Sequence, residues 1–212
     1  MNEDNSRHIV QVLRMGAGEE LRLTDGRGAL ITGAIVEPNK KKCRVAVRSA
    51  VVVPAPERRV SIAISPTKNA SRFEWFLEKA TEIGVGEIIP LMTERTERQH
   101  LRMDRLENIL VSAMLQSQQA WMPVLRAATS FGELISAEGY DRRFIAMLGD
   151  RVTVSLEAGA GTSLLLIGPE GDFTVREAES ALGREFVPVT LGRNRLRTET
   201  AGVVAATLLC IG

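Results

Sequence analysis

Arg197, Thr198, Glu199 and Thr200 bring a cation, an anion and two hydroxyls to one turn of the segment Leu191–Ala201 (LGRNRLRTETA), where a helix-like stretch opens just after Gly192. A second segment, Leu164–Thr174 (LLLIGPEGDFT), runs apolar through Leu164, Leu165, Leu166 and Ile167 and stops at Gly168-Pro169-Glu170-Gly171. Both read as the carboxyl end of a buried parallel strand turning into a helix, the place where open α/β sheets collect ligands. Glycine lets a backbone N–H or C=O approach a ligand with no Cβ in the way. Pro169 fixes φ and withholds a donor, so its loop presents particular carbonyls rather than a ring of amides. A phosphate cradle of the GxxxxGK[ST] kind needs free amides and a Lys. Neither loop has that Lys, and no GxGxxG follows an apolar run. The loops therefore suit a neutral or cationic, adenosine-like ligand better than a triphosphate. Periodicity alone leaves a plainer reading open, two ordinary strand–loop–helix turns.

The elements that carry these loops have a helix–strand rhythm. Ser71-x-x-Glu74, Asp104-x-x-Glu107, Ser130-x-x-Glu133 and Thr174-x-x-Glu177 predict helix starts as capping boxes. Between them lie apolar stretches at Glu87–Met92, Phe144–Leu148, Leu164–Ile167 and Phe186–Leu191. Alternating helices and buried strands predict an α/β fold with a parallel sheet. The last helix, Thr198–Ile211, is apolar on most faces and is predicted to be buried, in its own core or against a second subunit. Residues before this region are different in kind. Glu20–Thr24, Ala29–Glu37, Cys43–Val53 and Arg59–Ile64 are short and β-branched, separated by the turn signals Asp25-Gly26 and Pro38-Asn39, and predict a small β-barrel or sandwich. His8–Met15 has helical spacing and ends near Gly16, and Pro54 and Pro56 mark an irregular edge or connection. The boundary is expected near Val60–Lys68.

Composition narrows the class. The chain has 212 residues, 44% of them hydrophobic, enough for one substantial core or two smaller ones. No apolar run approaches a membrane span, and the opening MNEDNSRH lacks the order of a signal peptide, so a cytoplasmic protein is expected. Cys43 and Cys210 are far apart and without metal-ligand spacing; they are read as free thiols, with no metal site. His8 and His100 are the two histidines, and no Ser–His–Asp or Cys–His constellation assembles around them. Residues 1–60 carry 11 Lys/Arg against 7 Asp/Glu, with the excess peaking at Lys40, Lys41, Lys42 and Arg44, beside Arg48. Such a basic module fits docking on nucleic-acid phosphates. A solvated hairpin whose lysines blunt a sheet edge is the alternative.

The two loop segments, IGPEGDFT and LGRNRLRTETAG, resemble the SPOUT class of S-adenosylmethionine-dependent RNA methyltransferases. More narrowly, the chain resembles the bacterial family that methylates N3 of a uridine in 16S ribosomal RNA. His8–Gly28 (HIVQVLRMGAGEELRLTDGRG) is similar to that family's HxxxVLR…DG segment, and Lys79–Thr96 (KATEIGVGEIIPLMTERT) to its K…ELGV…ERS segment. The resemblance implies two domains, a PUA-like β-barrel that binds RNA (1–64) and a SPOUT domain with a deep trefoil knot (65–212). It implies a homodimer packed through helices like the terminal one. The methyl donor, S-adenosylmethionine, would be held by loops after Leu148, Ile167 and Leu191. The residues carried over as donor-binding are Leu148, Ile167, Gly168, Pro169, Glu170, Gly171, Leu191, Gly192, Leu196, Thr198, Thr200 and Ala201. His8, Arg14, Lys40, Lys41, Lys42 and Arg44 are those expected to meet RNA.

The reaction sets further demands. The donor's methyl is activated by its sulfonium, so alignment is the main task. Uracil N3 attacks poorly while protonated and must lose its proton. Arg197 is the expected stabiliser of charge on O2 and O4 of the base. Glu199, with Glu170, is the expected proton acceptor or helix-start anchor; pairing between Arg197 and Glu199, or capping, is the alternative role. Departures from the family pattern are Asp172 where glycine is usual, expected to cap the next helix, Arg195 where an apolar residue is usual, and QSQQAW at Gln116–Trp121. The chain also begins close to the HxxxVLR segment, so a first strand of the barrel is expected to be missing. Rival readings are another SPOUT methylation, on ribose 2′-O or a different base, and a non-catalytic RNA-binding platform.

Overall fold

The computed structural model describes residues 1–97, 100–148, 152 and 154–211. The chain divides into two compact units, Met1–Ala55 and the remainder from Pro56.

In the first unit, Asn2 caps helix α1 (Glu3–Arg7), its side chain accepting from the Asn5 amide at 2.9 Å. The helix continues as a π-helical turn, His8–Val12. The helical spacing read over His8–Met15 thus belongs to a helix that starts earlier, because Asn2 supplies the cap and Glu3 and Asp4 place anions at the positive end of the dipole. Strands β1 (Glu20–Thr24), β2 (Ala29–Glu37) and β3 (Arg44–Val52) form an antiparallel sheet in that order. The Asp25 carboxylate accepts from the Arg27 and Ala29 amides and so shapes the β1–β2 turn. The Ser6 hydroxyl accepts from the Cys43 amide at 2.9 Å and donates to the Asn2 carbonyl, tying α1 to the root of β3. Ile9, Ile35 and Cys43 are buried together, a small core.

The second unit is a parallel sheet with helices on both faces. Its strands are β4 (Arg59–Ile64), β5 (Glu87–Met92), β6 (Val124–Leu125), β7 (Thr129–Ser130), β8 (Arg142–Ala146), β9 (Thr162–Ile167) and β10 (Val187–Val189). The order is β10-β8-β9-β4-β5-β6, with β7 also on β5. Arg59–Ile64, expected within the N-terminal β module, is instead a central strand hydrogen-bonded between β9 and β5. Its run of buried residues Val60–Ile64 fits a sheet covered on both faces, and the division of the chain falls before it.

Side chains alternate across this sheet. Ile62 and Ile64 face helices α2 (Ala70–Ile83), α3 (Met103–Gln116) and α6 (Thr198–Cys210), where Phe73, Phe76, Leu110, Ala205 and Leu209 complete one core. Ala63, Ile89 and Leu91 face α4 (Phe131–Ile135) and α5 (Val175–Leu182), with Phe131, Leu134 and Phe173 in the other core. α6 lies so close to α2 that a Cβ on Gly202 would stand 2.5 Å from the Phe76 ring and 2.9 Å from Ile64 Cδ1. Cys210 is held in this packing, and burial pushes its thiol up to about 11. Among the described residues no helix is long and apolar enough to cross a membrane, and no cluster of metal-ligating residues occurs.

Two expected capping boxes form, Ser130 with Glu133 and Thr174 with Glu177. Two do not. Asn69, whose side chain accepts from the Ser71 amide, caps α2 two residues earlier than Ser71. Glu74 is drawn instead to Arg105, which grips both its oxygens at 2.7 and 2.8 Å. Arg102 begins α3 with no side-chain cap, so Asp104 lies inside the first turn. Asp172 is not a cap either; Thr174 takes that place.

At the amino end of the sheet, Glu87 is 2% exposed and accepts from the Ser61 hydroxyl (2.7 Å), Arg126 Nε (2.6 Å) and the Tyr140 hydroxyl (3.1 Å). Burial pushes its carboxyl up, but these three donors outweigh it and hold the group below the ordinary carboxylate range. A carboxyl depressed on folding stabilises the fold above its unfolded pKa, and that contribution fades as the pH drops through the folded value. Glu87→Gln is expected to lower stability at pH 7 by about 1–3 kcal/mol, since Arg126 stays half-exposed. Thermal melts between pH 7 and pH 3 check it: the wild type should lose more of its midpoint in acid than the variant, and parallel losses would refute the assignment.

Candidate functional site

Strands β10, β8 and β9 are neighbours, so their carboxyl ends deliver three loops to one rim of the second unit. They enclose a cleft of about 280 Å³. β8 runs into Ala146, Met147 and Leu148, on one wall. β9 ends in Ile167, Gly168, Pro169 and Glu170, the floor. The segment from Thr190 to Ala201 closes the far side, through Leu191, Gly192, Leu196, Arg197 and Thr198. The loop after Leu148 continues in part outside the described residues.

Local chemistry explains the shape of each loop. The Thr190 hydroxyl donates to the Gly192 carbonyl at 2.9 Å and accepts from the Gly192 amide at 3.3 Å. That closes a turn in which Gly192 has φ +142°, a conformation L side chains rarely adopt. In the glycine loop, the Asp172 amide donates to the Pro169 carbonyl at 2.9 Å and Asp172 has φ +61°. Its carboxylate accepts from the Phe173 amide, which helps an Asp tolerate the left-handed region. The two loops are joined where the Thr198 hydroxyl donates to the Gly168 carbonyl at 3.2 Å and Arg195 Nη2 reaches the Glu170 carbonyl at 3.4 Å.

The neighbouring strands steady the glycine loop from outside. The Lys68 amide donates to Glu170 Oε1 at 3.2 Å, Arg95 Nη1 donates to the Gly171 carbonyl at 2.6 Å, and the Glu94 amide donates to Glu177 Oε1 at 2.9 Å.

Of the residues expected to bind the donor, Leu148, Ile167, Gly168, Pro169, Glu170, Leu191, Gly192, Leu196, Thr198 and Ala201 line the cleft. Gly171 and Thr200 do not; the Gly171 carbonyl is taken by Arg95. Arg197 lines the cleft and Glu199 does not. Glu199 is 7% exposed and turned toward Arg72 on α2, whose Nε lies 3.6 Å from Oε1; its Oε2 is buried with no hydrogen-bond partner. Arg197 and Glu199 are therefore not paired with each other. Ala146, Met147, Asp172, Thr190, Asn194 and Arg195 also line the cleft and were not singled out for donor binding. Thr190 was legible as a hydroxyl directly ahead of a Leu-Gly turn.

The cleft is apolar along Ala146, Leu148, Ile167, Pro169, Leu191 and Leu196, and Glu170, Asp172, Arg195 and Arg197 are the charged residues that line it. Apolar walls take a flat aromatic ring, and the carboxylates favour a cation. The donor set fits a sulfonium nucleoside and lacks the amides and Lys that a triphosphate needs.

In the first unit, His8 and Arg14 are exposed, and Arg14 has φ +56°. Lys40, Lys41 and Lys42 sit exposed in the β2–β3 turn, where the Asn39 side chain accepts from the Lys41 and Lys42 amides. Arg44 pairs with Glu37 across the same hairpin at 3.6 Å, with both side chains more than half exposed. His100 is exposed, while Arg98 beside it lies outside the described residues.

Residues 54–210 match the RNA methyltransferase domain family, and residues 2–48 match the RNA methyltransferase PUA domain family. The chain is 28% identical over 210 residues to the ribosomal RNA small subunit methyltransferase E of Synechocystis sp., covering 93% of this chain and 68% of that protein. It is similar to the crystal structure of a probable rRNA-methyltransferase from Porphyromonas gingivalis, with 43% identity, TM-score 0.87, and coverage of 97% of this chain and 89% of that one. A ribosomal RNA small subunit methyltransferase E from Neisseria gonorrhoeae, solved bound to S-adenosyl methionine, is similar at 25% identity and TM-score 0.89, over 98% of this chain and 88% of its own.

Proposed function

The chain belongs to the RNA methyltransferase family, and on that premise we propose that it transfers a methyl group from S-adenosylmethionine to N3 of a uridine in 16S ribosomal RNA. The observation that carries the reading is the cleft at the carboxyl ends of β8, β9 and β10, apolar-walled, lined by two carboxylates and joined by Thr198 to Gly168. Leu148, Ile167, Pro169, Leu191 and Leu196 would hold the adenosine, and Glu170 and Asp172 would favour the positive end of the donor. The donor supplies a methyl made electrophilic by its sulfonium. Arg197 faces the charge that spreads onto O2 and O4 of the base as N3 gives up its proton. Glu170, which lines the cleft, is the proton acceptor. Glu199, turned to Arg72, anchors the first turn of α6 to α2.

The basic first unit is the RNA-docking module, of the PUA-like β-barrel kind, and the three rim loops form a deep trefoil knot. The protein acts as a cytoplasmic homodimer, with α6 packed near the partner. Because Asn39 fixes the backbone of the β2–β3 turn, the Lys40, Lys41 and Lys42 ammonium groups are free to meet phosphates. Replacing all three with Gln is expected to weaken RNA association and to flatten the log–log salt dependence by roughly 2. Donor affinity should stay as it was. An unchanged salt slope would assign the lysines to solvation alone.

The test of the main reading is methyl transfer in vitro. Small ribosomal subunits and naked 16S RNA are each incubated with protein and labelled donor, and the product is mapped by primer extension. A methyl on N3 removes the Watson–Crick donor of uracil, so extension should stop one nucleotide before it. A labelled ribose with read-through would move the activity to 2′-O. Donor binding without any transfer to either RNA would support the platform.

A further inference from the structure

We infer that the turn Thr93–Thr96 sets the shape of the glycine loop, and that Arg95 is a positioning residue for methyl-donor binding, holding the Gly171 carbonyl on its own side of the loop. The inference rests on the cleft being the donor site. From the sequence, Arg95 is expected only as part of the Lys79–Thr96 segment and of an exposed basic stretch around His100.

The turn is built on buried hydroxyls. Thr96 is 6% exposed, and its amide donates to the Thr93 carbonyl at 3.2 Å. The Thr96 hydroxyl accepts from the Thr93 amide at 2.9 Å and lies 2.9 Å from the Thr93 hydroxyl and 3.1 Å from that of Ser65. The Ser65 hydroxyl in turn donates to the Leu91 carbonyl at 3.0 Å. The ends of β4 and β5 are thereby locked together, and Glu94 and Arg95 project from a fixed root. Satisfied buried networks of this kind hold one geometry.

From that root two donors reach the glycine loop. Arg95 takes the Gly171 carbonyl, and the Glu94 amide takes Glu177 Oε1. The other oxygen of Glu177 accepts from the Thr174 amide and hydroxyl, so one carboxylate joins the turn to the cap of α5. Between these two anchors lies Asp172, in the left-handed region. Without the pull on Gly171, the Pro169–Asp172 turn can relax toward ordinary backbone angles and carry Gly168–Glu170 with it. Arg95 is exposed, and no carboxylate lies within ion-pair distance of it among the described residues. Its charge strengthens a single bond to a carbonyl. The Arg95 stem lies directly over this position, since a Cβ on Gly171 would meet Arg95 Cδ at 3.4 Å, an ordinary van der Waals contact.

The experiment compares wild type, Arg95→Ala and Arg95→Lys. S-adenosylmethionine affinity is measured by calorimetry, donor KM and kcat by methyl transfer, and hydrogen exchange over 168–174 by mass spectrometry. Arg95→Ala is expected to weaken donor binding roughly tenfold, as for loss of one charged hydrogen bond. It should raise donor KM more than it lowers kcat and speed exchange across 168–174. Arg95→Lys, which can still donate to the Gly171 carbonyl, should recover most of the affinity, and it serves as the readout if the Ala variant folds poorly. Unchanged donor affinity and exchange in Arg95→Ala would overturn the inference. So would a rise confined to the KM for RNA, which would make Arg95 an RNA contact. If the wild type fails to bind the donor, the reading of the cleft falls, while the exchange data still decide whether Arg95 holds the loop.

Discussion

Gly168→Val should leave a folded protein that no longer binds S-adenosylmethionine measurably, a loss of at least about a hundredfold in affinity. A Cβ at this position would stand 3.2 Å from the Phe173 ring and 3.3 Å from the Phe173 amide. Phe173 is 7% exposed and packs against Phe131 in a tilted arrangement with ring centroids 5.6 Å apart, so the ring cannot withdraw freely. The branched methyls of Val add to the crowding and are forced toward the cleft, whose floor Gly168 forms. Overpacking of this kind costs about 1–3 kcal/mol, short of what unfolds a domain of this size, yet the space it fills is part of the cleft proposed for the donor. The Gly168 carbonyl also accepts from Thr198, so a shift there disturbs the second loop. Calorimetry on the variant, with a thermal melt as control, checks the prediction. Wild-type affinity in a folded variant would place the donor elsewhere.

The rim of the sheet was legible in the sequence because a parallel strand covered on both faces reads as an apolar run with a sharp end. Leu164–Ile167 and its stop at Gly168 are where the sequence put them, and β5 matches Glu87–Met92 residue for residue. The same logic misplaced Arg59–Ile64. Seen along the chain it follows three β-branched strands at similar spacing, and only its pairing with β9, about a hundred residues onward, shows which sheet owns it. Long-range pairing leaves no local mark. Capping boxes were reliable where the glutamate had no better partner, as at Thr174, and failed where a distant arginine competed, as at Glu74.

Within the site, backbone-shaping residues were easier to foresee than side-chain directions. Gly192 was expected at a turn and has φ +142°. Glu199 was expected near the chemistry, but residue types cannot tell which face of α6 meets the cleft. Thr198 and Ala201 line it, whereas Glu199 lies against α2. Gly171 was expected to open toward the ligand because the loop was read alone. Its carbonyl answers to Arg95, a residue from another strand's loop.

That division of faces decides which charged residue should matter most to the chemical step. Arg197 is the backbone cap of α6, with φ −73° and ψ 156°, and its side chain makes no capping bond. Among the described residues no carboxylate lies within ion-pair distance of it, and it lines the cleft. A guanidinium so placed has no structural duty and is available to the developing negative charge of the base. Removing one preorganised donor of this kind costs about 10²–10³ in kcat, so Arg197→Ala should lose that much with a much smaller change in donor affinity. The pH profile should move as well. Uracil N3 attacks as its anion, and a nearby cation lowers the pH at which that anion forms. Without Arg197 the rising limb of kcat against pH should shift upward, and Arg197→Lys, which keeps the charge but not the planar fork, should restore the limb more fully than the rate. A profile unmoved in Arg197→Ala, or a loss confined to donor affinity, would make Arg197 a wall of the donor pocket and leave the base anion to be stabilised by other groups.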